Sequence, residues 1–375
     1  MEVVVTGIGL ISCLGSLTQS WQKLLRGESG IKISQPFSEL PPFPLGLIDK
    51  QPSNLAFLTK KIVKAALEDA RLKPPLADCG VVVGSSRGCQ AEWENLLRNS
   101  SDDLTIPNWL NTLPYQASVA AAREIGSTGV VMSPMAACAT GIWAIAQGYE
   151  LIRTGQCERV IAGAVETPIT PLSLAGFSKM GALAQTGCYP FDKLREGLVL
   201  GEGGAVLVLE SADLARRRHA SIYGEILGFG LTADAHHISA PNPSCYDAIR
   251  AVKNCLVNSN LKPEDINYIH AHGTSTKLND FHEAELIKYL FPDDVSVSST
   301  KGATGHTLGA SGAIGTAFYL MAIRSQKLPP CVGLKVSEFD INLVRKSSKA
   351  NLEKALCFSF GFGGQNAVLA VGKVE

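Results

Sequence analysis

The stretch Val130-Val131-Met132-Ser133-Pro134-Met135-Ala136-Ala137-Cys138-Ala139-Thr140-Gly141 decides how this chain is read. It is a short apolar strand, a turn of small residues, then the start of an uncharged helix. The second half repeats the order, with Val295-Ser296-Val297 followed by Thr304-Gly305-His306-Thr307-Leu308-Gly309. Working outward, both halves continue the likeness. Val3-Val4-Val5 opens the chain as a β run into Thr6-Gly7-Ile8-Gly9. Helices are expected near 19–26 and 54–71, the second with Ile62, Ala65, Ala66 and Leu67 along one stripe. A buried strand at 79–83 then closes on Gly84-Ser85-Ser86. In the second half a helix at 246–258 leads through Pro263-Glu264-Asp265 to the strand Tyr268-Ile269-His270, closed by Gly273-Thr274-Ser275. The proline-rich stretch 35–54 reads as an irregular surface excursion. The likeness is one of element order, not of residue identity. It predicts an α/β protein of two similar βα halves, 1–215 and 216–375, joined near the charged segment 215–220. The two turns then face each other across a pseudo-twofold axis, with Cys138, His272 and His306 in one cleft.

Composition narrows the class. The 375 residues carry 34 Lys+Arg and 34 Asp+Glu, so no basic excess marks a nucleic-acid binder. Charged residues are 18% against a usual ~25%, which with 46% hydrophobic residues and 36 glycines fits a large buried α/β core and excludes disorder. The ten cysteines form no CxxC pair and no dense framework, so free thiols in a reducing cytoplasm are expected. The N-terminus lacks a basic region and a long apolar run, so no signal peptide is expected. Two uncharged or nearly uncharged stretches, 125–149 and 302–323, have the length of a membrane span. Gly, Ser, Thr and Pro interrupt both, and a turn followed by a buried helix is the better reading, without membrane insertion.

Chemistry concentrates in a few residues. Cys138 lies directly before an apolar helix, whose free N–H groups and positive end favour a thiolate and an oxyanion. A lone cysteine is most often structural, but the small neighbours of Cys138 leave its sulfur uncovered. His272 ends a strand in His270-Ala271-His272-Gly273-Thr274-Ser275-Thr276, and His306 lies in Lys301-Gly302-Ala303-Thr304-Gly305-His306. A single histidine is usually a satisfied bystander; two in Gly-rich turns, one with a lysine five residues before it, form a less common pattern. Zinc on Cys138, His270, His272 and His282 is a rival, but the spacing matches no standard zinc motif. Ser359-Phe360-Gly361-Phe362-Gly363-Gly364 is a Gly-rich loop, not a phosphate loop, since no strand–GxGxxG–helix context accompanies it.

Taken in order, these motifs resemble the elongating β-ketoacyl-acyl-carrier-protein synthases of the thiolase superfamily. The resemblance runs from Thr6-Gly7-Ile8-Gly9 and Gly27-Glu28-Ser29-Gly30, through Ala137-Cys138-Ala139-Thr140-Gly141 and 162–177, to Pro190-Phe191-Asp192, Arg195-Glu196-Gly197 and Gly201-Glu202-Gly203. Ala271–Thr276, Lys301–His306 and Phe360–Asn366 complete it. It implies a thiolase-like fold with a layered α/β/α/β/α core. It implies a decarboxylating Claisen condensation of an acyl thioester with malonyl-acyl-carrier-protein in fatty-acid elongation, or the same chemistry in a polyketide or specialised-lipid pathway. By the same resemblance Cys138 is the nucleophile, His272 and His306 are the catalytic histidines, Lys301 supports them, and Glu283 orders the site. Thr274 and Thr276 hold the pantetheine arm. Phe360 gates the acyl pocket, and its backbone N–H joins that of Cys138 in an oxyanion hole. Two histidines argue against the priming synthases, and a single cysteine at the site against thiolases. A chain-length-factor subunit would lack Cys138, and a cysteine hydrolase would not need His306 and Lys301.

The implied partners are an acyl carrier protein, loaded with acyl or malonyl groups, and a second copy of the chain. No metal or cofactor is required by the chemistry. Lys60, Lys61, Lys64, Lys193 and Arg195 are candidate contacts for the acidic carrier. The chain departs from the family pattern at Tyr189, where an arginine is usual, and at Leu198, where a phenylalanine is usual and the acyl pocket is reshaped. Gly315 falls where a glutamate helps bind a structural monovalent cation. Two loops are shorter than usual, one of them bearing Asp102-Asp103.

Overall fold

The computed structural model describes residues 1–99 and 109–374, so Asp102-Asp103 lies outside the described residues. Ten strands carry the fold. They are β1 (Val3–Ser12), β2 (Gly80–Gly84), β3 (Val131–Met132), β4 (Arg159–Glu166), β5 (Gly203–Ser211), β6 (Gly224–Ala233), β7 (Tyr268–His270), β8 (Ser296–Ser298), β9 (Lys354–Gly361) and β10 (Gln365–Gly372). Their order across the sheet is β8-β7-β9-β10-β6-β1-β5-β4-β2-β3. The five strands of one half therefore repeat the order of the other. The pairings repeat too: β2–β3, β2–β4, β7–β8 and β7–β9 are parallel, while β4–β5, β1–β5, β9–β10 and β6–β10 are antiparallel. The halves join where Val3–Val5 of β1 pairs with Gly224–Ile226 of β6.

Helices repeat as well: α1 (Leu55–Asp69), α2 (Gln116–Ile125) and α3 (Thr140–Arg153) in the first half, α4 (Tyr246–Asn258), α5 (Lys277–Leu290) and α6 (Ser311–Ser325) in the second. Side-chain alternation along the strands sorts them into layers. Ala205, Leu207 and Leu209 of β5 face a central core with α3 and α6, while Val206 and Val208 face an outer core with α1. In β9, Ala355 and Cys357 face the centre, and Leu356 and Phe358 face an outer core with α4. The result is the expected α/β/α/β/α stack. The uncharged stretches are its middle layer: α6 is buried almost end to end, and α3 along most of its length. No helix among the described residues is long and apolar enough to cross a membrane.

The middle helices cross closely at their N-terminal ends. A Cβ on Gly141 would lie 2.6 Å from Ala313 N, and one on Gly312 would lie 2.7 Å from Ile142 Cγ1. Small residues there let the two nucleating turns approach. One expectation fails. The stretch 35–54 is not wholly a surface excursion, because Phe43–Leu45 forms a strand against Lys32–Ser34. Phe43 and Leu45 are buried with Leu198 and Cys138, so this segment walls the site.

Candidate active site

Cys138 is aimed by its turn. Ala137 adopts φ +46°, a left-handed conformation that an L-residue holds only when its surroundings demand it. The Thr140 hydroxyl closes the turn, accepting from Ala136 N at 2.9 Å and donating to Ala137 O at 2.7 Å. Ser359 of β9 donates to Cys138 O at 2.8 Å, tying the first-half turn to the second half. The sulfur therefore stands just ahead of the α3 N-terminus.

The second half brings both histidines to it. The Cys138 sulfur and ring nitrogens of His272 and His306 all lie within 4.8 Å of one another, and all three residues are buried. The two imidazoles meet edge-on, with centroids 5.3 Å apart. His272 follows β7, where Glu283 of α5 accepts from His272 N at 2.6 Å and Gly273 N at 2.7 Å. Glu283 thus clamps the backbone of the turn and does not touch the imidazoles by hydrogen bonding. The Lys301 ammonium donates to His272 O and lies 3.4 Å from His272 Nδ1. His306 N donates to Val199 O, and His306 Nδ1 is 2.8 Å from Ser311 Oγ. Ser311 was not evident from sequence. Its signal, a hydroxyl five residues after the histidine at the head of a helix, is too common to stand out.

Electrostatics correct one expectation. Burial pushes the Cys138 thiol up to about 11, against the downward pull of Lys301 and of an N–H from Phe362. Loss of water outweighs these pulls and disfavours the thiolate. Burial, with the nearby Lys301 charge, holds His272 and His306 well below the usual histidine range. Both imidazoles are neutral. Burial also raises Glu283 to about 7 and lowers Lys301 from its ordinary value.

A cleft opens over these groups, lined among others by Cys138, Leu198, His272, Thr274, Thr276 and His306. Thr274 and Thr276 share a hydrogen bond of 2.8 Å between their hydroxyls. Leu198 packs with Phe43, Leu45, Ile169, Leu174, Phe177 and Leu308 in an apolar pocket that also holds Cys138. Phe360 departs from its expected part. Its ring lies against His272 and Phe358, at 5.9 and 5.8 Å between centroids, inside the strand β9. The backbone N–H at the sulfur belongs to Phe362. Phe362 lies on the following turn, among Gly361, Gly363 and Gly364, with Gly363 and Gly364 at φ +78° and +74°. The residue is 36% exposed, and its ring lies 6.2 Å from that of Phe177.

Arg195 is also corrected. It is 5% exposed, donates to Glu338 at 2.6 Å and to Asp192 O at 3.0 Å, and stacks 4.7 Å over Phe339. A guanidinium so enclosed cannot be a surface contact. Lys60, Lys61 and Lys64 on α1 and Lys193 are exposed. Of the rival zinc ligands, His270 and His282 stand outside the Cys138–His272–His306 group, and the Lys301 ammonium beside His272 opposes a further cation there.

The comparisons agree with this geometry. Residues 48–215 match the family described as beta-ketoacyl synthase, N-terminal domain, and residues 223–335 match beta-ketoacyl synthase, C-terminal domain. The chain is 35% identical to a 3-oxoacyl-[acyl-carrier-protein] synthase 2 of Staphylococcus aureus, over 100% of this chain and 99% of that protein. It is 36% identical to the protein of the same name from Synechocystis, over 100% and 98%. Among solved structures, a type II PKS ketosynthase in complex with its acyl-carrier protein superposes with a TM-score of 0.93 at 27% identity, over 100% of this chain and 99% of that one. A beta-ketoacyl synthase from Burkholderia phymatum gives 0.91 at 26%, with both chains covered completely. Paired halves, a nucleophile turn before α3 and two histidines from the other half converge with these matches: the chain belongs to the β-ketoacyl synthase family.

Proposed function

We propose that the protein condenses an acyl thioester, carried on Cys138, with malonyl-acyl-carrier-protein, releasing CO₂ and 3-oxoacyl-acyl-carrier-protein in fatty-acid elongation. The observation that carries this reading is the grouping of one thiol with two neutral imidazoles within 4.8 Å. In the first half-reaction the thiol gives its proton to a neutral imidazole and the sulfur attacks the acyl carbonyl. The N–H groups of Cys138 and Phe362 face the resulting oxyanion. The carrier thiol leaves with the proton.

In the second half-reaction malonyl thioester loses CO₂ and its carbonyl oxygen becomes an enolate. An ammonium has no acceptor, so Lys301 at His272 Nδ1 leaves the proton of that ring on Nε2. With the Ser311 hydroxyl, 2.8 Å from His306 Nδ1, assigned as the donor, the second ring likewise keeps its proton on Nε2. Two Nε2–H donors then stabilise the enolate oxygen. The carbanion attacks acyl-Cys138, and the sulfur leaves and regains a proton. Thr274 and Thr276 hold the pantetheine arm, Leu198 with Phe43 and Leu45 bounds the acyl chain, and Phe362 gates it.

The two curated relatives, both named 3-oxoacyl-[acyl-carrier-protein] synthase 2, favour fatty-acid elongation over polyketide chemistry. The carrier docks on Lys60, Lys61, Lys64 and Lys193 by charge. A second copy pairs at β3, the terminal strand of the sheet, where Val131 is 41% and Met135 55% exposed. The ten free cysteines suit a cytoplasmic protein. Incubation with acyl-carrier and malonyl-carrier proteins tests the reading. Mass spectrometry should find 3-oxoacyl carrier with the native protein. Cys138→Ala should make none while still releasing CO₂ from malonyl carrier. Native protein that only hydrolyses the acyl thioester contradicts it.

A further inference from the structure

His270 is a second buried histidine of β7 and has no part in the chemistry above. It is 2% exposed and lies between Ser298 of β8 and Cys357 of β9 in the strand register. Its Nε2 is 3.1 Å from Thr300 Oγ1, and its Nδ1 is 3.8 Å from Cys357 Sγ. Both ring nitrogens therefore have neighbours. Helix α6 passes over the ring at Gly315. A Cβ there would come within 2.6 Å of His270 Cε1, 2.7 Å of Nδ1 and 3.1 Å of Cys357 Sγ. The imidazole fills the space that any side chain at 315 would need.

The position of this ring in the chain matters. His270 precedes His272 by two residues, and Thr300 directly precedes Lys301. One side-chain hydrogen bond thus ties the strand that leads into His272 to the turn that carries Lys301. The Lys301 ammonium closes the loop by donating to His272 O. A buried, satisfied link of this kind fixes relative position more firmly than either turn does alone.

The family resemblance implies a structural monovalent cation with a carboxylate at position 315. The residues present do not fit one. A hard cation needs several oxygen ligands, and Gly315 supplies no side-chain oxygen. The space beside it holds an imidazole and a thiol instead. The charge of Lys301 is also close enough to lower the His270 pKa, an effect that adds to burial and holds the ring neutral.

We propose that the His270 imidazole, seated against Gly315, does in this protein what a bound cation would do: it crosslinks the strand leading into His272 to the Lys301 turn, so that neither folding nor catalysis depends on a monovalent cation. His270 and Thr300 are positioning residues, and that half of the proposal rests on the catalytic reading of His272 and Lys301. The cation half does not.

Two measurements test it. Thermal unfolding of the whole protein is followed in potassium, sodium and tetramethylammonium chloride at equal ionic strength. The midpoints should coincide. A midpoint that rises and saturates with potassium or sodium overturns the proposal, because a ligand held by the native state must stabilise it. Thr300→Val removes the hydroxyl at nearly constant volume, and Thr300→Ser keeps it. The valine variant should release CO₂ from malonyl carrier about 10–100-fold more slowly, the scale expected when a catalytic group is displaced. The serine variant should recover CO₂ release. A valine variant with native CO₂ release, or a serine variant no better than valine, overturns the positioning role. If the native protein releases no CO₂ at all, the catalytic reading fails while the salt series still decides the cation question.

Discussion

At the scale of the residue, environment decides roles more than identity does. Cys138 is a buried thiol held up to about 11, and its proton must go to a neutral imidazole. Alkylation of the Cys138 peptide by iodoacetamide, followed by mass spectrometry, should quicken about tenfold per pH unit between pH 7 and 9.5, since only the thiolate reacts. A plateau near neutral pH would mean that the α3 end or Lys301 dominates after all. Phe362→Ala should slow acyl transfer to Cys138 more than it slows CO₂ release, because its ring borders the acyl side of the cleft and the enolate donors remain. Phe360→Ala should instead disturb both, through its packing on His272; equal losses in Phe362→Ala would remove the gate. Cys138, His272, His306 and Lys301 were legible in sequence because small residues, glycines and chain order marked their turns. Phe362 and Ser311 were not, because the choice between two phenylalanines, or among many hydroxyls, depends on where a backbone N–H and an Oγ point. Arg195 looked like an exposed cation until Glu338 and Phe339, more than 140 residues on, were seen to enclose it.

At the scale of the element, the close crossing of α3 and α6 positions the two turns. Gly141→Val places branched carbons against Ala313, where even a Cβ would lie 2.6 Å from backbone nitrogen. It should lower stability by about 1–3 kcal/mol, the usual cost of overpacking, seen as a lower denaturation midpoint. A neutral result would mean that the helices separate freely. Most of β7 and the helices α1 and α4 could be placed from the apolar periods and turn residues alone. The hairpin of β9 and β10 could not, since Gly361, Gly363 and Gly364 read as a loop when the pairing partner, β6, lies more than 130 residues away. The buried strand Phe43–Leu45 was hidden for a similar reason: its prolines signal a surface, and only the tertiary contact with Leu198 contradicts them.

At the scale of the whole molecule, the repeated topology explains the site. The first half supplies the Cys138 turn and the second supplies the His272 and Lys301–His306 turns, so neither holds a complete set of groups. The first half contributes the sulfur, the second the two histidines and Lys301. The open edge at β3 predicts a dimer, and Val131→Lys should convert it to monomer by light scattering; a native monomer at micromolar concentration would exclude that interface. Carrier affinity should fall with salt and with Lys60→Glu or Lys64→Glu, while a salt-independent KM would remove the lysine face from docking. Acylation at the first-half sulfur separates from enolate formation at the second-half histidines in His306→Ala, with acyl-Cys138 mass and CO₂ release measured side by side. His272 remains to accept the thiol proton, so the acyl-enzyme should still form. Loss of one oxyanion donor should cut CO₂ release from malonyl carrier by about 10²–10³. Abolished acylation with normal CO₂ release would contradict the account.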